Sequence, residues 1–241
     1  MLTTIVIPCY NEENRLNQEA FTNYVEMHPE IHFLFVNDGS TDNTLSLLKR
    51  LAEQHDQLHY LDLEVNGGKA EAVRQGMLHA ANNFNCDYVG FWDADLATPL
   101  EEIEHFISQM QRKDFDIVTG LRLMRLGASI KRKSMRHYLG RCFATTASIV
   151  LKLPVYDTQC GSKLYKSHIV STLFNQTFIT RWLFDVELLA RYNKAFGREQ
   201  AIQRIYEYPL LYWEDVDGSR VKVKDFFKAP YELWKIKRNY R

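Results

Sequence analysis

Four cysteines are few for 241 residues, and none of them stands in CxxC spacing. This scarcity argues against a disulfide framework and a zinc site, and it favours a reduced, cytosolic compartment. No apolar run reaches the roughly 18–20 residues of a membrane-spanning helix, and a strand-like segment follows Met1 where a signal peptide would stand. The phosphate-binding patterns GxGxxG and GxxxxGKS/T are also missing, which disfavours NAD-dependent and P-loop proteins.

Net charge is absent too, because thirty Lys and Arg residues balance thirty Asp and Glu residues. The charges are nevertheless unevenly placed. Residues 122–152 carry eight Lys/Arg and no acid, and residues 220–241 carry eight Lys/Arg against Asp225 and Glu232. Basic stretches that also contain many apolar residues predict a surface that meets anions. No nucleic-acid-binding module accompanies them, so nucleic acid is not an expected partner.

Short apolar segments alternate with segments of helical period through the first 120 residues. The expected strands are Thr3–Ile7, Ile31–Val36, Leu58–Leu63, Tyr88–Trp92 and Phe115–Thr119. The expected helices are Leu16–Met27, Thr44–Ala52, Ala70–Ala81 and Leu100–Met110. Apolar strands separated by helices of this length predict βαβ units, and therefore a Rossmann-like α/β fold with a mostly parallel central sheet flanked by helices.

Beyond Gly120 this alternation breaks, and the pattern becomes basic and then apolar. The expected elements are a helical stretch within 121–153, a loop at Tyr156–Gly161, a strand at Lys163–Tyr165, a helix at Arg181–Tyr192, a strand at Gln203–Tyr208 and an amphipathic helix at Phe226–Lys237. No repeat or low-complexity linker interrupts the chain, so we expect one domain over residues 1–241 with C-terminal amphipathic helices.

Polar clusters follow the expected strands where ligands of such sheets bind, beyond the carboxyl ends. The clusters are Cys9–Glu13, Asn37–Asp42, Asn66–Lys69 and Asp93–Thr98. Pro8 cannot donate a ladder hydrogen bond, so we expect it to close the first strand. A turn followed by a helix cap is the alternative for each cluster, but their common edge favours a binding site.

Asp93-Ala94-Asp95 stands directly after the most hydrophobic expected strand. Two carboxylates at i and i+2 in a turn can face one cation, and such oxygen ligands suit Mg²⁺ or Mn²⁺ bound together with substrate phosphates. The metal would act as a Lewis acid on a departing diphosphate. The alternative is a polar turn in which Thr98 caps a helix that starts at Pro99.

The segment Asn37–Asp42 is open to two compatible interpretations. Gly39 permits a tight turn whose side chains accept bonds from a base or ribose, or those side chains cap a helix near Thr44. The segment Asn66–Lys69 places flexible backbone beside a helix N-terminus, which is a favourable place for an anion, with Lys69 as a point charge.

Four segments, in this order and spacing, resemble glycosyltransferase family 2, whose members have the GT-A fold: IVIPCYNEE, FVNDGSTDNT, NGGKAEAVRQG and FWDADLATP. Three later segments resemble its polyprenyl-phosphate branch, the dolichyl-phosphate β-glucosyltransferases and their mannose-synthase cousins: VYDTQCGSKLYKS, RWLFDVELLARY and YPLLYWEDVDGSRV. The resemblance covers nearly the whole chain. It implies an inverting hexosyltransferase that moves glucose from UDP-glucose to a dolichyl or polyprenyl phosphate.

The resemblance also implies roles for individual residues. The nucleotide residues that it implies are Pro8, Tyr10, Glu12, Asp38, Lys69 and Asp93. Asp38 would contact the base, and Asp95 would bind the metal together with Asp93. Arg122 and Arg136 would bind the acceptor phosphate, so that residues 1–120 form a nucleotide-sugar half and residues 121–241 an acceptor-binding, membrane-facing half.

Two departures from the family pattern concern the metal and the sugar pocket. The mannose-synthase cousins often carry Gln as a further metal ligand where this chain has Ala97, and an aromatic residue where it has Ser162. Ala97 leaves the coordination number open, and Ser162 leaves the sugar pocket open.

The acceptor side is expected to bind phosphate without a general base. A phosphate monoester already carries about −1.5 to −2 charges near neutral pH, so it needs positioning and neutralisation more than deprotonation. Arg122 and Arg136 lie in the acid-free stretch, so we expect them to lack an internal ion-pair partner and to meet an anion. Residues 130–153 and 226–240 have the composition of interfacial helices, which predicts peripheral contact with the cytoplasmic face of a membrane.

Two other functions remain open at this stage. One is sugar transfer to a hydroxyl of a cell-surface glycan, for which Asp157, Asp185 or Glu187 could serve as the base. We expect Asp185 and Glu187 instead to anchor structure, because their segment has the pattern of a half-buried helix. The other is a nucleotide-sugar-binding protein without activity, which the intact Asp38, Asp93 and Asp95 disfavour.

Overall fold

The structure is a computed structural model that describes residues 1–131, 134–215 and 223–240, with the backbone alone described for 134–138 and 223–227. The chain forms two compact units. Unit 1 comprises Met1–Leu96 and Ser162–Thr177, and unit 2 comprises Ala97–Gly161 and Phe178–Arg241. The residues implied for the nucleotide and the metal all belong to unit 1, and the two arginines implied for the acceptor belong to unit 2.

The strands are β1 (Thr3–Cys9), β2 (Ile31–Asp38), β3 (Leu58–Leu63), β4 (Tyr88–Phe91), β5 (Ile117–Leu121), β6 (Ser129–Lys131), β7 (Lys163–Lys166), β8 (Ile205–Pro209) and β9 (Tyr212–Glu214). The helices are α1 (Gln18–Met27), α2 (Thr44–Gln54), α3 (Lys69–Asn83), α4 (Glu102–Lys113), α5 (Ser134–Leu151), α6 (Ser167–Phe174), α7 (Phe184–Phe196), α8 (Arg198–Arg204) and α9 (Val223–Asn239). This order confirms the predicted α/β class, with a mostly parallel sheet flanked by helices.

The strands of unit 1 pair in the order β3-β2-β1-β4-β7. β1 to β4 run parallel, and β7 returns antiparallel beside β4 with Lys166 opposite Tyr88. The central strands β1, β2 and β4 are almost wholly buried; Ile5 of β1 and Phe35 of β2 are examples. Burial on both faces produces the continuous apolar runs that made these strands predictable.

Helix α3 packs against β1, β2 and β4. At Gly76 the helix lies so close to the sheet that there is no room for a side chain. A Cβ there would lie 2.4 Å from Val6 Cγ1 and 2.7 Å from Val36 Cγ2. Glycine therefore lets α3 lie directly on the sheet. Because α3 begins at Lys69, this close packing also fixes the position of that residue relative to the ends of β1 and β2.

In unit 2, β5 pairs in parallel with β8, and β6 pairs in parallel with β9. Helix α4 packs on β5, while α5, α7 and α9 pack against one another. α9 buries Ala229, Leu233 and Ile236. Within the part of the chain described, no helix combines the length and apolarity needed to cross a membrane.

The structure corrects the sequence-based expectation for Pro8. β1 continues through Pro8 to Cys9, in register with Val36 and Asn37 of β2. Val6 accepts a backbone bond from Trp92 on the β4 side, and Pro8, two positions on, presents its backbone to the same side. Pairing with β4 ends at Val6, so the missing amide hydrogen of Pro8 removes no ladder bond.

Candidate active site

The loops that follow β1 and β2 are joined by side-chain hydrogen bonds. Asn11 N donates to Ser40 Oγ at 3.0 Å, and Asn11 Oδ1 accepts from Thr41 N at 2.9 Å. Glu12 N donates to Thr44 Oγ1 at 2.9 Å. Asn11 has a φ of 53°, a left-handed conformation that asparagine adopts more readily than most residues. These bonds hold the Tyr10–Glu12 segment against the turn after β2.

The segment after β2 forms a turn that leads into α2, whose N-cap residue is Asn43. Asp42 Oδ1 accepts from Thr44 N at 3.0 Å at the start of α2. Burial opposes ionisation of Asp42, but the bonds that it receives from Thr44 and from the amide of Glu13 lower its pKa. Gly39 has a φ of 59°, and a Cβ there would lie 2.5 Å from Asn66 N, so the turn requires glycine.

Asp38 ties the end of β2 to the loop before α3. Its two carboxylate oxygens accept from Gly67 N at 2.8 Å and from Gly68 N at 3.0 Å, and the residue is only 3% exposed. Bonds from backbone amides to a carboxylate are charge-assisted and stronger than bonds between neutral groups. Asp38 therefore fixes the path of the loop that leads to Lys69.

Lys69 and Asp93 meet at the same edge of the sheet. Lys69 Nζ donates to Asp93 Oδ1, and both side chains remain more than a third exposed. Asp38, Lys69 and Asp93 thus form one continuous set, linked through the glycine loop, at the carboxyl ends of parallel strands. The predicted convergence of the polar clusters on one edge is present in the contacts of the folded chain.

The Asp93-Ala94-Asp95 segment forms a turn directly after β4. Leu96 N donates to Asp93 O at 3.2 Å, and Leu96 has a φ of 53°, a conformation that a branched apolar residue rarely adopts. Unfavourable backbone of this kind persists where the surrounding structure imposes it, as it often does at functional sites.

The described residues contain no group of three or more His, Cys, Asp or Glu side chains able to hold a metal. Asp93 and Asp95 fit a Mg²⁺ or Mn²⁺ ion whose remaining ligands are water and substrate phosphates, since such ions use only one or two carboxylates in nucleotide sites. Ala97 adds no ligand atom from its side chain.

The structure corrects the expected state of Arg122 in unit 2. Its Nε and Nη2 donate to the two carboxylate oxygens of Asp157 at 2.7 and 2.8 Å, and its guanidinium lies 5.1 Å from the ring centroid of Trp213. The expectation that this arginine lacks an internal carboxylate was wrong, because the partner lies 35 residues away in sequence. The side chain of Arg136 lies outside the described residues.

Glu207 is a further residue of this cluster, and no local sequence pattern indicates it. Its carboxylate accepts from Tyr156 N at 2.8 Å and from Asp157 N at 2.7 Å. Burial raises the pKa of Glu207, and these backbone bonds offset only part of that rise. Glu207 holds the loop that presents Asp157, and Asp157 in turn orients Arg122.

Glu187 has the structural role that its helical segment predicted. It accepts from Ile179 N at 2.9 Å, from Arg191 Nη2 at 2.8 Å and from Tyr240 Oη at 2.8 Å, and it is fully buried. The carboxylate anchors the loop before α7 and the end of α9. A buried carboxylate with these donors is poorly suited to act as a base, and Asp157 is likewise engaged with Arg122.

A sheet of parallel strands with acids and a lysine at its carboxyl ends, and with helices packed against it, places the protein in the Rossmann-like α/β class. Residues 4–174 match the family described as Glycosyl transferase family 2. The chain belongs to that family, which confirms the resemblance found in its motifs.

Several similar curated proteins are described as dolichyl-phosphate beta-glucosyltransferases. The protein of that description from Trichomonas vaginalis is 31% identical over 97% of this chain and 70% of its own length. Its counterpart from Saccharomyces cerevisiae is 30% identical over 98% of this chain and 74% of its own. The human protein is 28% identical over 90% and 69%, respectively.

Solved structures show the same fold at low sequence identity. A crystal structure of glucosyl-3-phosphoglycerate synthase from Mycobacterium tuberculosis, in complex with Mn²⁺, UDP-glucose and phosphoglyceric acid, has a TM-score of 0.69. The match covers 98% of this chain and 80% of that one at 14% identity. The likeness confirms the expected GT-A-type architecture.

Proposed function

We propose that this protein is an inverting glucosyltransferase that moves glucose from UDP-glucose to a dolichyl-type polyprenyl phosphate. The observation that carries the proposal is the linked set of Asp38, Lys69 and Asp93 at the carboxyl edge of the unit 1 sheet. The curated relatives named dolichyl-phosphate beta-glucosyltransferase support the choice of acceptor and sugar.

Unit 1 would bind the donor. Pro8, Tyr10 and Glu12 lie on the segment held against the turn after β2, and we assign them, with Asp38, to the base and ribose. Lys69 would bind the diphosphate, because its exposed ammonium lies at a helix N-terminus, where anions are favoured. On this assignment Asp38 both contacts the nucleotide and holds the loop that positions Lys69.

Asp93 and Asp95 would hold Mg²⁺ or Mn²⁺ in this scheme. The ion would neutralise charge on the departing diphosphate. The solved glucosyl-3-phosphoglycerate synthase contains Mn²⁺ together with UDP-glucose, which supports a divalent ion here. Lys69 would add a fixed positive charge next to Asp93.

Unit 2 would bind the acceptor through Arg122 and Arg136. An oxygen of the lipid phosphate attacks the anomeric carbon, the bond from that carbon to UDP breaks, and UDP leaves with the bonding electrons. The phosphate is already ionised, so no base is required. Asp157 would keep the Arg122 guanidinium in one orientation, because two hydrogen bonds to one carboxylate fix the plane of the guanidinium. Near Arg122 in sequence, Leu126 is 99% exposed, which suits contact with an isoprenoid chain.

The lipid acceptor would bring the protein to the cytoplasmic face of a membrane as a peripheral protein. In α5, Ile149 is exposed, as is Leu139 to a lesser degree, and residues 130–153, which contain this helix, carry six Lys/Arg and no acid. Exposed aliphatic side chains among cations are typical of helices that lie at an anionic interface.

The test is a transfer assay with labelled UDP-glucose, GDP-mannose or UDP-N-acetylglucosamine, a polyprenyl phosphate in detergent and Mn²⁺. Label should enter the lipid extract from UDP-glucose. Lys69→Ala should lower transfer about tenfold to a hundredfold, because a charge-assisted phosphate bond contributes about 1.5–3 kcal/mol. Lys49→Ala, an exposed lysine of α2, is the matched control and should retain activity. Transfer to a saccharide hydroxyl with none to lipid would refute the proposal.

A further inference from the structure

Helix α9 is fixed to unit 2 by one face and by its C-terminal end. Ala229, Leu233 and Ile236 are buried, and α9 packs against α5 and α7. Tyr240 Oη donates to Glu187 Oε1 at 2.8 Å and accepts from Arg191 Nε at 3.1 Å. The residues between these anchors are therefore held in a defined orientation, and the other face of the helix is directed away from the core of unit 2.

That other face carries an aromatic pair with a cation over each ring. Tyr231 is 58% exposed and Trp234 is 52% exposed, with ring centroids 6.0 Å apart and planes inclined by 17°. Lys235 Nζ lies 4.7 Å from the Tyr231 centroid, and the Arg238 guanidinium lies 5.5 Å from the Trp234 centroid. We refer to Tyr231, Trp234, Lys235 and Arg238 as the α9 patch.

Charge and residue type identify the occupant of the α9 patch. Residues 228–240 contain four Lys/Arg and a single acid, Glu232, in a protein whose total charge is zero. Lysine is depleted at protein–protein interfaces, yet three of these four cations are lysines. Trp and Tyr flanked by Lys and Arg are instead the residues that concentrate at the boundary between water and lipid.

We infer that the α9 patch docks on an anionic lipid surface, with both rings at headgroup level and Lys235 and Arg238 against lipid phosphates. Each basic side chain near such a surface strengthens binding about fivefold, and the rings add apolar burial. The inference deepens the proposed function by naming the part of unit 2 that attaches the protein to the membrane. It rests on that proposed function, because a lipid acceptor is what would require such attachment.

The experiment measures co-sedimentation of the full chain with vesicles of phosphatidylcholine alone or with about a third phosphatidylserine. Wild-type protein should bind the anionic vesicles more tightly, and less so as salt rises. The Tyr231→Ser/Trp234→Ser double variant should bind about tenfold or more weakly, and Lys235→Gln/Arg238→Gln should lose most of the salt dependence. The matched control is Tyr60→Ser, since Tyr60 is also exposed, at 40%, with Lys49 over its ring.

These outcomes separate the anchor from the chemistry. The vesicles contain no polyprenyl phosphate, and transfer to detergent-solubilised acceptor should be unchanged in the double variant. A folded double variant that binds anionic vesicles as tightly as wild type overturns the inference, as does wild-type protein that does not prefer them. Loss of a dimer in the double variant by sedimentation velocity, without loss of vesicle binding, would assign the patch to a second copy of the chain instead.

Discussion

Replacing Asp38 by asparagine tests whether this buried carboxylate sets the loop that carries Lys69. Asp38 accepts from two backbone amides, and the isosteric amide of asparagine can accept from only one while turning its NH₂ toward the other. Hydrogen bonds to a charged group contribute about 1.5–3 kcal/mol each. We therefore expect Asp38→Asn to lower the free energy of unfolding by about 2–3 kcal/mol, which corresponds to a melting temperature lower by about 4–12 °C.

Two measurements on the same samples decide the case. Circular dichroism gives the melting temperature, and calorimetric titration gives the affinity for UDP, which should also fall because the glycine loop positions Lys69. Glu64→Gln, an exposed neighbour of the loop, is the control and should change neither value. A melting temperature within about a degree of wild type would refute the loop-anchoring argument. Weaker UDP binding without that thermal change would mean that Asp38 contacts the nucleotide directly.

Three further outcomes are expected. Asp95→Asn should lose most transfer while the protein still folds, because we assign its carboxylate to the metal, and full wild-type activity in excess EDTA would exclude that role. Asp157→Asn should raise the apparent KM for polyprenyl phosphate about tenfold by releasing Arg122, with UDP affinity unchanged in titration. Burial lowers the pKa of His59, and two neighbouring histidines lower it further, so urea melts should show stability falling as the pH drops below about 6.5. The His59→Gln variant should lose less stability over this pH range, whereas the control variant His168→Gln should behave like wild type. A wild-type stability that stays constant from about pH 7 to 5 would contradict the argument.

The parallel strands and their polar ends were predictable because local patterns determine them. β1 and β2 are buried on both faces, so each is a continuous apolar run that ends where polar residues begin. Parallel strands bring those ends to one edge without further information. Asp38, Lys69 and Asp93 could therefore be expected together from the order of their segments, although the bonds from Asp38 to Gly67 and Gly68 could not.

Other features depend on contacts that a local pattern does not contain. The helix α6 and the strands β6 and β9 are too short to show a clear period, and α8 takes the first two residues of the expected strand Gln203–Tyr208. The pairing of Arg122 with Asp157 joins positions 35 residues apart, and Glu207 reaches Tyr156 across 51. Only the folded chain shows that the acid-free basic stretch obtains its carboxylate from elsewhere.

The discontinuity of unit 1 has a consequence for synthesis on the ribosome. β4 acquires its outer neighbour only when β7 emerges, since Phe91 pairs with Lys163. Roughly seventy residues are translated between these two strands, which takes about 4–14 s at 5–20 residues per second. During that interval the nascent sheet presents the apolar edge of Tyr88–Phe91, and an open edge of this kind invites pairing with another chain. Yield in the cell should therefore depend on chaperones that shield the growing chain until residue 166 has been made.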